Sequence, residues 1–395
     1  MAEQARAILI LNVGSSSVKF AVFDAASLHE LAYGSIEGLG ALPHVSARGD
    51  AIAAVDLDLP GGVADQAAAV GLVLELLTSR LPHLDVAAVA HRIVHGGVEF
   101  AAPVVLDDAI LARLAALVPL APLHQPHNLA GVAAARLAFP GAVQIACFDT
   151  AFHRRHPWVA ETFALPPRFY DEGVRRYGFH GLSYEAILRL LGEREPALAA
   201  KRLVVAHLGS GASMCAVVGG VSQATTMGFS ALDGLPMGTR CGQIDPGVLL
   251  WMMAEKGMDA EAITALLYKE SGLKGLSGIG GDVRALEASG RPEAAAALDY
   301  FVFRVRREIG AMAAILGGID AIVLTGGIGE HAVDLRARIL SGFEWLGLAL
   351  DPAANAAGTA RISTPGSAIA AFVIATDEEG TIARHAKALL DTAAG

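Results

Sequence analysis

Apolar residues arrive along this chain in short runs, each ending in a polar or glycine-rich stretch. Residues 8–24, ILILNVGSSSVKFAVFD, open with four apolar positions, pass Asn12 and a Gly-Ser-rich segment ending at Lys19, and close on a second apolar run. Two strands joined by a tight polar turn are predicted. Runs of similar form occupy 86–97 (VAAVAHRIVHGG), 142–152 (AVQIACFDTAF), 321–331 (AIVLTGGIGEH) and 368–380 (AIAAFVIATDEEG). Helical patterns lie between them, at 107–118, 246–255, 293–316 and 379–392. Strands alternating with helices predict α/β layers with mixed sheets. Ligands of such sheets sit beyond the carboxyl ends of strands. Those ends carry Asn12, Arg92, Asp149, His207, the Gly327 loop and Glu378.

The pattern repeats once. LILNVGSSSVKFAVF (9–23) aligns without a gap on VVAHLGSGASMCAVV (204–218), at an offset of 204 − 9 = 195. Gly14 falls on Gly209, Ser15 on Ser210, and Ala21-Val22 on Ala216-Val217. An offset near half the chain indicates internal duplication. Two lobes are expected: 1–149 joined by 380–395, whose last helix returns to it, and 150–379. Polar strand ends on two similar lobes imply a cleft between them.

A length of 395 residues favours two cores over one. The chain is apolar, at 53% hydrophobic and 18% charged residues, yet no run approaches the roughly 18 residues of a membrane span. The apolar stretch of MAEQARAILILNVG is short for a signal peptide, so a cytoplasmic location and no membrane partner are expected. A net charge of −10 gives no basic excess for nucleic acid. Cys147, Cys215 and Cys241 form no CxxC pair, so neither a disulfide framework nor a zinc site is suggested.

Several stretches carry candidate chemistry. The Gly14–Lys19 segment serves as a plain turn or as a phosphate cradle, with backbone N–H groups, hydroxyls and one lysine around an anion. No Gly-Lys pair occurs, so it is no Walker motif. AHRIVHGG puts Arg92 at a strand end among apolar neighbours, where a guanidinium must find an anion. His91 and His95 have a spacing that serves metal on a helix, and this is a strand. CFDTAFH sets Asp149 at a strand end as a metal ligand, a hydrogen-bond acceptor or a cap. RRYGFHGLSYE flanks His180 with residues small enough for close approach of a ligand. MGFSALDGLPMGTRCGQIDPG, with five glycines and Arg240, reads as a long ordered loop. LTGGIGEH fits a helix start facing a nucleotide, and ATDEEGTIAR clusters three carboxylates that suit a cation or a helix start.

Taken together, NVGSSSVKF, HRIVHGG, PLHQPHN, FDTAFH, RRYGFHG, TMGFSALDGLPMGTRCGQIDPG, TGGIGE and TDEEGTIAR resemble the acetate and propionate kinase family over nearly the full length. The resemblance implies the sugar kinase/Hsp70/actin fold with duplicated RNase H-like cores, ATP and Mg2+ (or Mn2+) as co-substrate and cofactor, a short-chain carboxylate such as acetate as acceptor, and a homodimer. It assigns Asn12 and Glu378 to the metal, and Ser17 and Lys19 to the nucleotide phosphates. Arg92 and Arg240 hold the substrate carboxylate and the phosphoryl group, Asp149 is the catalytic carboxylate, and His180 stabilises the transition state. His207, Leu208, Gly209, Ser210, Gly211 and Ala212, with Asp282, Val283, Arg284, Gly327, Ile328, Gly329, Glu330 and His331, surround the nucleotide. Val94, Leu123 and Phe179 contact the acyl group.

Five positions depart from the family pattern. Ser210-Gly211-Ala212 replaces Asn-Gly-Ser, Val283 replaces a phenylalanine, Asp377 an asparagine, and Ala231 a proline of the acyl pocket. The last change bears on substrate size, with propionate as the alternative acid. A second class shares the two-lobed design, the Hsp70- and actin-like proteins that use ATP as a switch. Such a protein has no evident use for Arg92 and Arg240, and needs a partner-binding domain or polymer surface.

Overall fold

The structure is a computed structural model describing residues 6–14, 16–39 and 42–394, with side chains to Thr392. Ser15, aligned above with Ser210, lies outside these residues. The chain forms two compact units, Met1–Phe152 with Asp377–Gly395, and His153–Thr376. The second crossing therefore falls before the last helix, not within it. Asp377 explains this, because its Oδ1 accepts from Gly380 N at 2.9 Å and ties it to that helix. Glu378 thus belongs to the first unit.

The first unit is built on β1 (Arg6–Val13), β2 (Ser17–Asp24), β3 (Glu30–Glu37), β4 (His44–Arg48), β5 (Val55–Asp58), β6 (Asp85–Ile93), β7 (Val104–Val105) and β8 (Val143–Phe148). Their order is β5-β4-β3-β2-β1-β6-β8-β7, with β1, β6 and β8 parallel. Ala7–Leu11 of β1 are wholly buried, as a central strand with both faces covered requires. Helix Glu378–Ala394 packs on β1 and β6.

The second unit carries β9 (Arg202–Leu208), β10 (Ala212–Val218), β11 (Val221–Thr225), β12 (Ala321–Thr325) and β13 (Ala370–Val373), in the order β11-β10-β9-β12-β13. An antiparallel hairpin followed by two parallel strands recurs in both sheets: β2-β1-β6-β8 and β10-β9-β12-β13. The predicted helices form at Asp108–Ala115, Pro246–Lys256, Pro292–Ile315 and Glu378–Ala394. Among the described residues, no helix is long and apolar enough to cross a membrane.

The gapless alignment of the hairpins needs one correction. Val13 pairs with Val18 around residues 14–17, whereas Leu208 pairs with Ala212 around residues 209–211. The second turn is one residue shorter. Both turns close alike, Gly14 N donating to Ser17 O and Gly209 N to Gly211 O. Lys19 therefore matches Ser213 rather than Met214. In a strand, one residue of slip moves a side chain to the opposite face.

Helix Gln125–Ala138 fixes the end of β1 against the end of β6. Asn128, 7% exposed, accepts from Val94 N through Oδ1 at 2.9 Å and donates from Nδ2 to Val13 O at 2.7 Å. Gly131 lets the helix approach, since a methyl there would lie 2.5 Å from Val13 Cγ2. Asn128→Ala strands one buried donor and one buried acceptor. It is expected to lower the unfolding free energy by about 2–4 kcal/mol in urea titration. A loss below about 1 kcal/mol would show that the amide does not hold these strand ends.

Candidate active site

In the first unit, three strand- and helix-end side chains meet. Arg92, at the end of β6, donates from Nε to Asp149 Oδ1 at 2.9 Å and from Nη2 to Asp149 Oδ2 at 2.8 Å. Its Nη1 lies 2.9 Å from Glu378 Oε2, at the start of the last helix. Asp149 is 2% exposed and Glu378 8%. Burial opposes the Arg92 charge, but Asp149 and Glu378 outweigh it and hold the guanidinium above its ordinary value. Burial raises Glu378, with Asp149 adding to the rise and Arg92 and Lys19 opposing it. Burial and then Glu378 raise Glu379. Asn12 and Lys19 face each other across the β1–β2 ladder.

One cation between two carboxylates leaves a surplus negative charge. That donor set fits Mg2+, which takes one or two carboxylates and completes its shell with water and phosphate oxygens. Among the described residues, no three His, Cys, Asp or Glu could hold a metal by themselves. The fork of Arg92 is largely occupied. Its five N–H bonds, less the three on Asp149 and Glu378, leave two for a substrate.

In the second unit, His180 takes a left-handed backbone (φ 59°) at the start of helix Gly181–Arg194. Its ring stacks on His207, with centroids 4.3 Å apart. The Gly209–Gly211 turn lies over both. A methyl on Gly211 would be 3.0 Å from Arg240 Nη2 and 3.3 Å from His180 Nε2, and one on Gly209 3.6 Å from His207 Nε2. Glycine is what lets cation and imidazole reach this backbone. Arg240 Nη1 donates to Ala231 O at 2.7 Å, and no carboxylate pairs with Arg240 among the described residues. Burial lowers its pKa, opposed by Tyr268. A half-buried guanidinium with one carbonyl partner is ready for an anion.

The backbone of that loop is held by a single π-helical turn, Leu266–Glu270. Thr239 Oγ1 donates to Tyr268 O at 2.8 Å and Cys241 N to Leu267 O at 3.2 Å. Such turns leave carbonyls available to neighbours. Gly272 (φ 62°) lets the strap pass, because a methyl there would lie 2.1 Å from Met237 O.

Other predicted residues sit differently. Gly281 packs on Gly238, and Gly238 N donates to Ser210 O at 3.4 Å, joining the Asp282 segment to the turn. Asp282 itself caps helix Val283–Ala288 and pairs with Arg284, while Val283 is buried. Gly327 N lies 4.0 Å from a methyl placed on Gly209, so the Gly327 loop adjoins the turn. Glu330, however, folds back to accept from Gly326 N at 2.9 Å, so its own carboxylate occupies the helix start expected to face a nucleotide. Leu208 and Ala212 are core residues, Ile328 is half-buried and His331 exposed. Phe179 is 2% exposed and its carbonyl meets His153 Nε2 at 3.0 Å. Val94 and Leu123 are half-buried in the first unit.

Sequence reasoning missed Asn128, Ser183, Tyr184, Ser213 and Arg336. Arg336, 1% exposed, donates to Glu330 O at 2.7 Å and Asn355 Oδ1 at 2.8 Å and so fixes the Gly327 helix. Tyr184 and Ser183 stand in RRYGFHGLSYE beside His180, which was the available signal.

A duplicated mixed-sheet fold, a glycine turn beside an arginine that has no carboxylate partner among the described residues, and an arginine–carboxylate cluster suit a two-lobed phosphotransferase. The chain belongs to the Acetokinase family, whose sequence model matches residues 7–384. An acetate kinase of Methylocella silvestris is 54% identical over 98% of each chain. The crystal structure of Porphyromonas gingivalis acetate kinase has a TM-score of 0.87 at 34% identity, covering 98% of this chain and 100% of that one. A propionate kinase from Francisella tularensis gives 0.89 at 33%, covering 96% and 98%. The chain is thus a phosphotransferase with a carboxyl group as acceptor, not an ATP-driven switch.

Beside Phe179 lies a pair of neutral imidazoles, His153 and His156, with ring centroids 5.3 Å apart. His153 Nε2–H donates to Phe179 O, so Nδ1 accepts from Ser222 Oγ at 2.8 Å. His156 Nε2 lies 2.5 Å from the same hydroxyl. Burial, aided by His156, lowers His153 to about 3. Burial, aided by Arg154, lowers His156 to about 4, and burial lowers His91 to about 4. Unfolded, each titrates near 6.5. Below that pH the unfolded chain binds protons that the folded chain refuses. Stability should be flat above pH 7 and fall between about pH 6.5 and 5, on the order of 1 kcal/mol per histidine per pH unit. Urea titrations at pH 7.5, 6 and 5 check this. No loss by pH 5 would show that these imidazoles are not held neutral.

Proposed function

We propose that the chain catalyses ATP + acetate ⇌ ADP + acetyl phosphate by direct in-line transfer. The observation that carries this reading is Arg240, a cation with no carboxylate partner among the described residues, beside the Gly209–Gly211 turn. Acetate, with a pKa close to that of Glu (about 4.3), is ionised at neutral pH and needs no general base. The difficulty is bringing one anion to another. Catalysis is therefore positioning and charge stabilisation.

Arg240 and His180 Nε2 take the oxygens of the phosphoryl group in flight, with the Gly209–Gly211 turn beside them. Ser17 and Lys19 face the phosphates from the first hairpin. Arg92 offers its two remaining N–H groups to the carboxylate, and Asp149 orients Arg92 rather than removing a proton. Asn12 and Glu378 would hold Mg2+ (or Mn2+), which supplies charge neutralisation at the nucleotide phosphates when bound. Exclusion of water keeps ATP from hydrolysis.

The family pattern gives Val94, Leu123 and Ala231 to the acyl group, and Ala231 is smaller than the proline of that pattern. Propionate is then a second substrate, and butyrate a poor one. Helix Pro246–Lys256 exposes Leu250 (68%), Trp251 (49%) and Met253 (51%), a face that a second copy of the chain covers in a homodimer. A cytoplasmic enzyme fits the family and the absence of membrane helices among the described residues.

Acetate, ATP and hydroxylamine should yield acetate-dependent hydroxamate, and light scattering should read twice 40.7 kDa. Its absence, or a monomer mass, contradicts the corresponding part of the reading. In Ala231→Pro, the propionate/acetate ratio of kcat/KM should fall about fourfold, the worth of one methylene at ~0.8 kcal/mol. An unchanged ratio would remove Ala231 from the control of substrate size.

A further inference from the structure

The hydroxyl of Ser213, on β10, is shared by two groups. It lies 2.8 Å from His180 Nδ1 and in a very short contact with Tyr184 Oη. Tyr184 is 0% exposed, one turn along the helix that His180 begins. Ser213 is equally buried. A hydroxyl has one proton to give, so the order of the chain decides which imidazole nitrogen carries hydrogen. A phenol is the more acidic hydroxyl and its oxygen the poorer acceptor, so Tyr184 O–H donates to Ser213. Burial also keeps the Tyr184 proton in place, its pKa lying well above the ordinary value. Ser213 then gives its own proton to Nδ1, and Nε2 must be the protonated nitrogen.

We infer that Tyr184 and Ser213 form a relay that fixes His180 as the Nε2–H tautomer, aimed at the Gly211 turn. His207 repeats the arrangement: its Nδ1 is 2.8 Å from Ser183 Oγ, which in turn lies 2.9 Å from Thr376 Oγ1. The two stacked rings each have a serine on Nδ1 and Nε2 toward the glycine turn. A neutral imidazole that donates from Nε2 can bond a phosphoryl oxygen without first taking a proton from solvent. Tyr184 and Ser213 are positioning residues, acting through His180. The inference rests on the proposed role of His180 in phosphoryl transfer, and the test separates the two.

The full-length enzyme labelled with 15N-histidine reports each tautomer by NMR. In the native protein, His180 should show protonated Nε2 and unprotonated Nδ1. Tyr184→Phe keeps the ring and removes the donor. It should convert His180 to a mixture of tautomers and lower kcat ~10–100-fold, the usual scale for losing a group that orients a site residue, with KM for acetate little changed. Ser213→Ala should give the same spectral change, and Ser213→Thr, which retains the hydroxyl, should restore the native signal. A native His180 with the proton on Nδ1, or a tautomer unmoved in Tyr184→Phe, overturns the relay. A shifted tautomer with native kcat overturns instead the role given to His180.

Discussion

Moving a phosphoryl group onto a carboxylate requires positive charge that is held in place and not neutralised beforehand. The chain treats its two site arginines in opposite ways under this constraint. Arg92 is locked by Asp149 and Glu378, and the cluster as a whole is negative. Arg240 has a single carbonyl, that of Ala231. A half-buried charge with no carboxylate beside it is unfavourable, so a fold that keeps one must gain by it elsewhere. The gain lies in what the guanidinium can meet at the Gly209–Gly211 turn.

The scaffold around that charge is made of backbone rather than bulk. Glycines at 209, 211, 238 and 281 let loops close on one another: a methyl on Gly281 would lie 2.6 Å from Gly238 O, and methyls on the other three would meet neighbours at 3.0–3.3 Å. The π-helical turn at Leu266–Glu270 supplies carbonyls to Thr239 and Cys241 on either side of Arg240. Hydroxyls do the fine positioning: Ser213 on His180, Ser183 on His207, Ser222 on His153. Such groups are small and directional, and they set tautomers without adding charge.

Much of this was legible in the sequence because β-sheet strand ends leave a plain mark. Asn12, Arg92, Asp149 and His207 each close an apolar run, and the duplicated hairpin is visible in the letters alone. The shorter second turn was not visible, since a one-residue deletion within Gly and Ser leaves the apolar pattern intact. Nor was the double engagement of Arg92, whose partners lie 57 and 286 positions away (149 − 92 and 378 − 92). Asn128 looks like any polar helix residue until its two strand-end partners are known. The bond from Gly326 N to Glu330 likewise leaves no mark in the letters.

The contrast between the arginines is tested most directly by measuring kcat and unfolding free energy together in Arg240→Met, which keeps the side-chain volume and removes the charge. Loss of a charge-stabilising donor should lower kcat at least ~100-fold. Removal of a half-buried cation that lacks a carboxylate should leave stability within about 1 kcal/mol of the native value, or raise it. A near-native kcat accompanied by a loss of several kcal/mol would make Arg240 a structural residue and contradict the account.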